Sequence, residues 1–324
     1  MNLRQLGSLC EIVDRGLSVS NAADATYRSQ ASVTRQIQKL ERELGFELFA
    51  RRRNRLVGLT PQCEEIVAIA RRMLQDAENM RRIGRNLTDD ASGDFTIATT
   101  HTYARYVLPP VIRSFIDRYP DVRLSLLQAN PTECCNLVAQ GKADLAVCSD
   151  PPDAPQEVVE VPCYRLYRSV ITPAKHPLLQ LKTLTLDALA RYPLITYDAT
   201  YSGRWIVNKA FADRKLNPRV VLSAVDADVS KVYVEMGLGI AIFVSVAFDP
   251  VHDTNLRRID ARHLFKPSFL NFIVRRNSFM RGYMHEFIHM FAPRITRATV
   301  EDAVLRRRQP PKSASTVPEL RAAE

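Results

Sequence analysis

The chain of 324 residues lacks the marks of secreted and membrane proteins. Glu11, Asp14 and Arg15 interrupt the first apolar stretch, so it is too short for a signal peptide or a membrane span. The cysteines show no paired metal-ligand spacing, and they are Cys10, Cys63, Cys134, Cys135, Cys148 and Cys163. We therefore expect a cytoplasmic protein with free thiols and no membrane contact. A redox role for the adjacent Cys134 and Cys135 stays open, although a vicinal disulfide is strained.

Sequence patterns for nucleotide cofactors and for most catalytic chemistry are also missing. There is no GxGxxG motif, P-loop, Ser-His-Asp order or paired-carboxylate motif, so we expect neither a cofactor nor an enzyme. One rival signal is H-E-x-x-H at His285, Glu286 and His289, the arrangement of zinc proteases. No clear third ligand accompanies it, and the apolar Phe287 and Ile288 indicate packing. A zinc metalloenzyme stays a distant alternative, and we expect no metal site.

Length and charge suit a two-part protein with a polyanionic partner. The chain is long enough for two or three folding units. Its 45 Lys and Arg residues exceed its 35 Asp and Glu residues, which gives a formal net charge of +10. A basic balance of this size favours binding to a polyanion without proving it.

The first 60 residues show the pattern of a helix-turn-helix. Leu3, Leu6, Leu9 and Val13 recur at helical spacing, and Gly16 ends that helix. Ser18 or Ser20 can cap a short second helix with the small residues Ala22, Ala23 and Ala25. Ser29 or Gln30 opens a third helix, which Gly45 stops and whose apolar face carries Val33, Ile37, Leu40 and Leu44.

The opposite face of the third helix is polar and suits the major groove of DNA. An ordinary amphipathic surface helix is the alternative for this stretch alone. The arginine-rich segment after Phe49 favours a basic wing that binds phosphates. We expect contacts near bases from Gln30, Ser32, Thr34 and Arg35, and contacts near phosphates from Lys39, Arg51, Arg52 and Arg53.

A long helix and a new domain follow. The stretch from Pro61 to about Asn86 carries a near-heptad apolar stripe, which predicts packing against a partner helix. Residues 88–93 form a polar hinge. Beyond Val304, the proline-, serine- and charge-rich tail of residues 305–324 predicts disorder.

Residues 93–304 alternate between strands and helices, which predicts an open α/β sheet. We expect strands near residues 95–98, 122–127, 144–148, 169–172, 194–197, 220–224 and 240–244, and a helix over 104–119. Ligands of such sheets bind at the carboxyl ends of strands, close to helix starts. Hydroxyl side chains occupy three such places: Thr99, Thr100 and Thr102; Ser149; and Tyr201 and Ser202. Helix N-termini and hydroxyls together predict a cleft for a small oxyanion or polar metabolite.

At specific residues the chain resembles the LysR-type transcriptional regulators. The family signature is matched by Ala22-Ala23, Ser29-Gln30, Leu40-Glu41, Leu44-Gly45 and Leu48-Phe49-Ala50-Arg51. Residues 97–122, 226–242 and 287–304 are similar to the subgroup typified by CysB and Cbl, which activates cysteine biosynthesis and sulfur-source use.

The resemblance implies an α/β protein with an all-α winged helix-turn-helix (residues 1–60), a linker and dimerisation helix with its hinge (61–92) and an effector domain (93–304). The effector domain would be similar to type II periplasmic binding proteins, with subdomain I at about 93–164 and 267–293 and subdomain II at about 165–266. By position, its cleft residues would be Thr100, Thr102, Tyr103, Ser149 and Ser202. The subgroup usually has threonine at the last two positions and glutamine where Tyr103 stands.

The resemblance also implies the partners. It implies a homo-oligomer, a tetramer, that activates transcription from double-stranded promoter DNA through RNA polymerase. The effector would be sulfate, thiosulfate or an acetylserine-like molecule. A regulator of another pathway that responds to an organic carboxylate is the main alternative.

Overall fold

The computed structural model describes residues 1–53, 55–85, 91–151, 153–198, 201–305 and 317–320. The chain divides into two compact units, Met1–Thr88 and Asp89–Glu324. Within the described ranges, no helix combines the length and the apolar character that a membrane span requires.

The first unit contains four helices and a hairpin among its described residues. They are α1 (Leu3–Asp14), α2 (Val19–Ala25), α3 (Gln30–Leu44), β1 (Phe49–Arg52), β2 (Arg55–Leu59) and α4 (Pro61–Arg85). Ser18 and Ser29 cap α2 and α3, because each hydroxyl accepts a backbone N–H three residues later. Gly45 ends α3 in the left-handed conformation, with φ +83°. These local signals confirm the predicted helix boundaries.

The core of the first unit is where the helix-turn-helix pattern places it. Ala22 and Ala23 are fully buried, and they pack with Leu6, Leu9 and Val33. Small side chains at these positions let α2 approach its neighbours closely. Strands β1 and β2 pair antiparallel and form the predicted wing.

The second unit contains ten strands and eight α-helices among its described residues. They are β3 (Gly93–Thr99), α5 (His101–Tyr106), α6 (Pro109–Arg118), β4 (Val122–Gln128), α7 (Pro131–Ala139), β5 (Leu145–Ser149), β6 (Val158–Leu166), β7 (Arg168–Pro173), α8 (Leu186–Leu189), β8 (Leu194–Tyr197), α9 (Ser202–Asp213), β9 (Val220–Ala224), α10 (Ala227–Glu235), β10 (Ile240–Val244), β11 (Leu256–Asp260), β12 (Ser268–Arg275), α11 (Gly282–Phe291) and α12 (Arg297–Val304).

These strands form two mixed five-stranded sheets rather than one open sheet. The first sheet has the order β4-β3-β5-β12-β6, and the second has the order β11-β7-β10-β8-β9. We call the first sheet with its helices the first subdomain and the second sheet with its helices the second subdomain. Strands β3 and β4 are parallel, as the strand-helix-strand spacing predicts. Strands β6, β11 and β12 have no counterpart in the sequence-based prediction, and each runs antiparallel to its neighbours.

Two further expectations need correction. The helix predicted over 104–119 is two helices, α5 and α6, because Pro109 and Pro110 start a new helix after a break at Val107 and Leu108. The tail is ordered at Val317–Leu320, where Arg165 of β6 donates its N–H to the Pro318 carbonyl (2.7 Å) and accepts from Leu320 N–H (2.9 Å). Val317 is buried there. A sheet edge thus holds four residues whose composition predicted disorder. The rest of the predicted tail, residues 306–316 and 321–324, and residues 86–90 at the predicted hinge lie outside the described residues.

Candidate functional site

The third helix, α3, has a polar face that is exposed or half-buried rather than packed in the core. Gln30, Arg35 and Lys39 are exposed, and Ser32 and Thr34 are half-buried. On the other face, Val33, Ile37 and Leu40 are at most 3% exposed, so the core fixes the helix's rotation. The five polar side chains predicted to reach DNA therefore belong to one accessible surface of the first unit.

The wing carries the second group of predicted DNA contacts. Arg51, Arg52 and Arg53 are exposed at and after β1. Arg51 Nη2 lies 3.2 Å from a carboxylate oxygen of Glu41 in α3, whereas the structure records no ion pair for Arg52 or Arg53 among the described residues. The Arg51–Glu41 pair joins the wing to α3, so the charge of Arg51 is partly neutralised. The sequence alone did not distinguish these three arginines.

Helix α4 leaves apolar side chains exposed. Ile69, Met73 and Met80 are 46%, 39% and 67% exposed, whereas Val67, Ala70 and Ala77 on the same helix are buried. An exposed apolar row along a helix of 25 residues is typical of a helix that packs against another chain.

The second unit brings most of the predicted effector residues to the junction between its two sheets, where Thr102 of the first subdomain meets Tyr197 of the second, and we call this junction the cleft. Thr100, Thr102 and Tyr103, at the start of α5, are 4%, 6% and 3% exposed. Ser149 ends β5, beside the end of β3 in the first sheet. Ser202 begins α9 after β8 of the second sheet, and its side chain lies outside the described part of the structure.

Two hydroxyl pairs line this cleft. Tyr103 hydrogen-bonds Ser149, and burial raises the pKa of Tyr103 far above its usual value. The Oγ1 of Thr102 lies 3.4 Å from the hydroxyl of Tyr197, at the end of β8. Burial also raises the pKa of Tyr197, so both phenols stay neutral donors at ordinary pH. Thr99, by contrast, donates to the Val147 carbonyl at 2.7 Å, which is a structural role.

Two residues of the cleft were missed by the sequence analysis. Tyr197 stands at a predicted strand end, so the rule that selected Ser149 could have found it. Arg168 opens β7 and is 2% exposed. No motif surrounds it, and only its contact with Ser268, 100 residues later, shows that it lies between the two sheets.

An ionic cluster joins the two subdomains beside the cleft. Asp228 of α10 accepts hydrogen bonds from His101 (3.0 Å) and Tyr106 of α5 and lies 3.0 Å from Arg105. Lys231, 5% exposed, donates to the Tyr106 hydroxyl at 2.9 Å and pairs with Asp253 at 2.6 Å.

His101 and two aspartates of this cluster come close enough to hold a cation. His101, Asp226 and Asp228 offer ligand atoms within 4.8 Å of one another. Asp226 caps α10 through Val229 N–H (2.8 Å). Arg105 and Lys231 already neutralise Asp228, so the cluster is better suited to holding the subdomains together than to a metal.

The H-E-x-x-H segment lies in α11, and among the described residues it is not part of a group of three ligand atoms within 4.8 Å of one another. Its residues engage other parts of the structure: His285 lies 4.0 Å from Glu301, and Glu286 lies 3.6 Å from Arg118. His289 is exposed. Phe287 and Ile288 are buried in the main core, as the apolar pattern predicts.

The adjacent cysteines of α7 meet a third thiol. Both Cys134 and Cys135 contact Cys148, and these contacts together with burial raise the pKa of Cys148 well above its usual value. All three are fully buried. A thiol kept protonated in this way, as that of Cys148 is, is a poor nucleophile.

Comparisons with known proteins agree with this geometry. Residues 3–64 match the model of the bacterial regulatory helix-turn-helix protein, lysR family, and residues 88–295 match that of the LysR substrate binding domain. The regulator SsuR of Burkholderia cenocepacia is 42% identical over 93% of this chain and 97% of its own length. The regulator CysB of the same organism is 41% identical over 94% and 97%.

A solved structure also indicates similarity to this group of regulators. The cofactor-binding domain of the Cbl transcriptional regulator is 37% identical and superposes with a TM-score of 0.64, covering 67% of this chain and 96% of that domain. Members of this family bind DNA and a small-molecule effector and are not enzymes. The chain belongs to the LysR family of bacterial transcription regulators.

Proposed function

We propose that this regulator activates genes of sulfur assimilation in response to a small anionic or acetylserine-like effector. The relatives at about 40% identity over nine-tenths of the chain, named SsuR, CysB and Cbl, support the pathway. The observation that carries the effector class is the convergence of Thr102, Tyr103 and Ser149 at strand and helix ends of one buried cleft. Neutral donors of this kind bind oxyanions.

The DNA-binding part of the proposal rests on α3 and the wing. Gln30, Ser32, Thr34 and Arg35 would read base edges, while Lys39, Arg51, Arg52 and Arg53 would bind phosphates. The exposed row of Ile69, Met73 and Met80 would pair two copies of α4, so that two recognition helices read a pseudo-palindromic site. A tetramer that contacts RNA polymerase completes the proposal.

Effector binding would act through the ionic cluster around Asp228, because that cluster ties the subdomains on either side of the cleft. An effector can shift the assembly only if it binds two arrangements with different affinities. Contacts that cross the cleft, such as Tyr106 with Asp228, are the ones that two arrangements would change.

A different effector, an organic carboxylate of another pathway, is favoured by one observation. Tyr103, 3% exposed, stands where the resembled subgroup usually has glutamine, and its hydroxyl already bonds Ser149. The ring takes up space in the cleft that a glutamine would leave open, which changes the shape of the molecule that fits.

The test is capture and sequencing of genomic fragments by the purified full-length protein. Enrichment of promoters for sulfate, sulfonate or cysteine genes supports the proposal. Enrichment of other promoters would refute the sulfur assignment while leaving DNA binding intact. A control with Arg35→Ala and Arg52→Ala combined should lose the enrichment.

A further inference from the structure

Arg168 is a buried cation whose known contacts are all neutral. Its Nη1 donates to the Lys266 carbonyl (3.1 Å) and its Nη2 to Ser268 Oγ (3.3 Å). Among the described residues, the structure records no ion pair for this guanidinium. Arginine is seldom fully buried without a paired carboxylate, because removal of the charge from water is costly.

The surroundings of Arg168 do not compensate this charge fully. Burial lowers the pKa of Arg168 to about 10, so the side chain stays charged at neutral pH. Asp150 attracts it from a distance, but that carboxylate accepts hydrogen bonds from Phe269 N–H (2.9 Å) and Asn271 Nδ2 (3.1 Å). A positive charge is thus held at low exposure without a counter-ion in contact.

The guanidinium faces the same cleft as the predicted effector residues. The phenols of Tyr103 and Tyr197 are close enough to feel its charge. A Cβ on Gly203, in the first turn of α9, would lie 4.0 Å from Nη2 of Arg168 and 3.4 Å from the Tyr197 ring. Helix α9 has twelve residues, and its cap residue Tyr201 makes no side-chain cap hydrogen bond. The first turn of a helix and a buried guanidinium therefore lie close together.

We propose that Arg168 is the charged residue of the effector site and binds an anionic head group through two of its oxygens. This inference rests on the proposed function and adds the residue that recognises the charge of the ligand: a carboxylate, sulfonate or sulfate offers the two-oxygen edge that the planar guanidinium fork of Arg168 matches. Neutral donors then come from the hydroxyls of Thr102, Tyr103 and Tyr197. Each hydroxyl hydrogen can turn from its present partner toward the ligand.

The test measures anion binding to the full-length protein. Sodium N-acetylserine, methanesulfonate and sulfate are titrated at constant ionic strength, with chloride as the control salt. Thermal unfolding and the fluorescence of Trp205, the single tryptophan, which lies in the first turns of α9, report binding. We expect at least one of the three anions to bind saturably to the wild type, and the anion that binds identifies the head group as carboxylate or sulfonyl.

Three variants decide the role of Arg168. Arg168→Met should weaken anion binding by roughly 10- to 100-fold, the usual effect of losing charge-assisted hydrogen bonds. Arg168→Lys keeps the charge but loses the fork, so it should lie between that variant and the wild type. Arg165→Met is the matched control, because this arginine stacks on Tyr167 at 5.9 Å and should leave binding unchanged.

A purely structural role of Arg168 and a failure of the proposed function would give different results. If Arg168 only supported the fold, its substitution would lower the unfolding temperature of the unliganded protein without changing the anion affinity of the folded fraction, so both quantities are measured for each variant. Unchanged affinity in Arg168→Lys and Arg168→Met, or a wild type that binds none of the anions, overturns the inference. Binding of the wild type and of each variant to a promoter fragment is measured separately. A wild type that does not bind the fragment would count against the proposed function alone.

Discussion

The surface of α3 and the wing and the cleft between the subdomains hold arginines in opposite environments. Arg35 and Arg52 are exposed, and the structure records no ion pair for either among the described residues, whereas Arg168 is 2% exposed. At the surface, a charge acts over long distances and is screened by salt. In the cleft, the low dielectric makes the same charge costly to hold and decisive for a ligand that reaches it. Substitutions at the surface should therefore alter binding without altering stability, while those in the cleft act on both.

The largest expected effect is at the recognition helix. Arg35→Ala should reduce affinity for the specific promoter site by about 1–3 kcal/mol, because the bidentate contact with a base edge that we propose for Arg35 would be lost. The free energy of unfolding should change by less than about 0.5 kcal/mol, since Arg35 is exposed. Fluorescence anisotropy with specific and scrambled duplexes measures the affinity, and urea denaturation measures the stability. Equal loss on both duplexes would show that Arg35 binds phosphate instead.

The next effect is in the cleft. Thr102→Val removes a hydroxyl but keeps the shape of the side chain, so effector affinity should fall by about tenfold while DNA binding in the absence of effector is retained. The Tyr197 hydroxyl, 3.4 Å from Thr102, loses its partner and should make the variant slightly less stable. Thr26→Val is a control of the same chemistry in the first unit, because its hydroxyl bonds the Ala22 carbonyl at 2.8 Å. A Thr102→Val protein with normal effector affinity would remove Thr102 from the site.

The wing offers an internal comparison between neighbouring arginines. Arg52→Ala should weaken binding to all duplexes and reduce the slope of log affinity against log salt by about 0.9, as expected for one lost phosphate contact. Arg51→Ala should reduce that slope by less, because Arg51 already pairs with Glu41 at 3.2 Å. Affinity measured at several salt concentrations gives both slopes. If both substitutions reduce the slope of log affinity against log salt equally, the Arg51–Glu41 pair does not persist on DNA.

The first unit could be predicted almost completely because its signals are local. Ser29 caps α3 and Gly45 ends it, and each can be recognised from its own neighbours in the sequence. The placement of the cleft residues could be predicted in part: Thr102 and Ser149 were selected because ligands of α/β sheets bind at the carboxyl ends of strands, and their role in binding stays a prediction.

The rest depended on contacts between distant segments. Arg168 meets Ser268 across 100 residues, and β12 returns the chain from the second sheet to the first. Strand β12 is buried along most of its length, so it shows no alternation that would mark it as a strand. Local patterns carry no information about such pairings, and the resemblance to a family, rather than periodicity, supplied the two subdomains.

The smallest expected effect concerns the ionic cluster beside the cleft, which lies between the two extremes in exposure. Burial acts to raise the pKa of Asp228, but hydrogen bonds from Tyr106 and His101 and the charges of Lys231 and Arg105 lower it below its usual value. A carboxylate with a lowered pKa stabilises the fold above its unfolded-state pKa, and this stability is lost as the pH falls through the folded-state value. Asp228→Asn should therefore reduce the free energy of unfolding at pH 7 by about 1 kcal/mol, a value that allows for solvent screening.

The difference between the wild type and Asp228→Asn should be fully present above the unfolded-state pKa of an aspartate and should shrink as the pH falls through the lowered folded-state pKa of Asp228. Urea denaturation at a series of pH values measures it. Asp117→Asn is the matched control, because Asp117 forms an exposed pair with Arg113 at 3.2 Å that contributes little at any pH. If the Asp228→Asn difference were as large at pH 3 as at pH 7, it would come from packing. The cluster would then hold the subdomains together through packing rather than through charge. The charge of Asp228 would contribute no stability, unlike the charges that we propose to act at the surface and in the cleft.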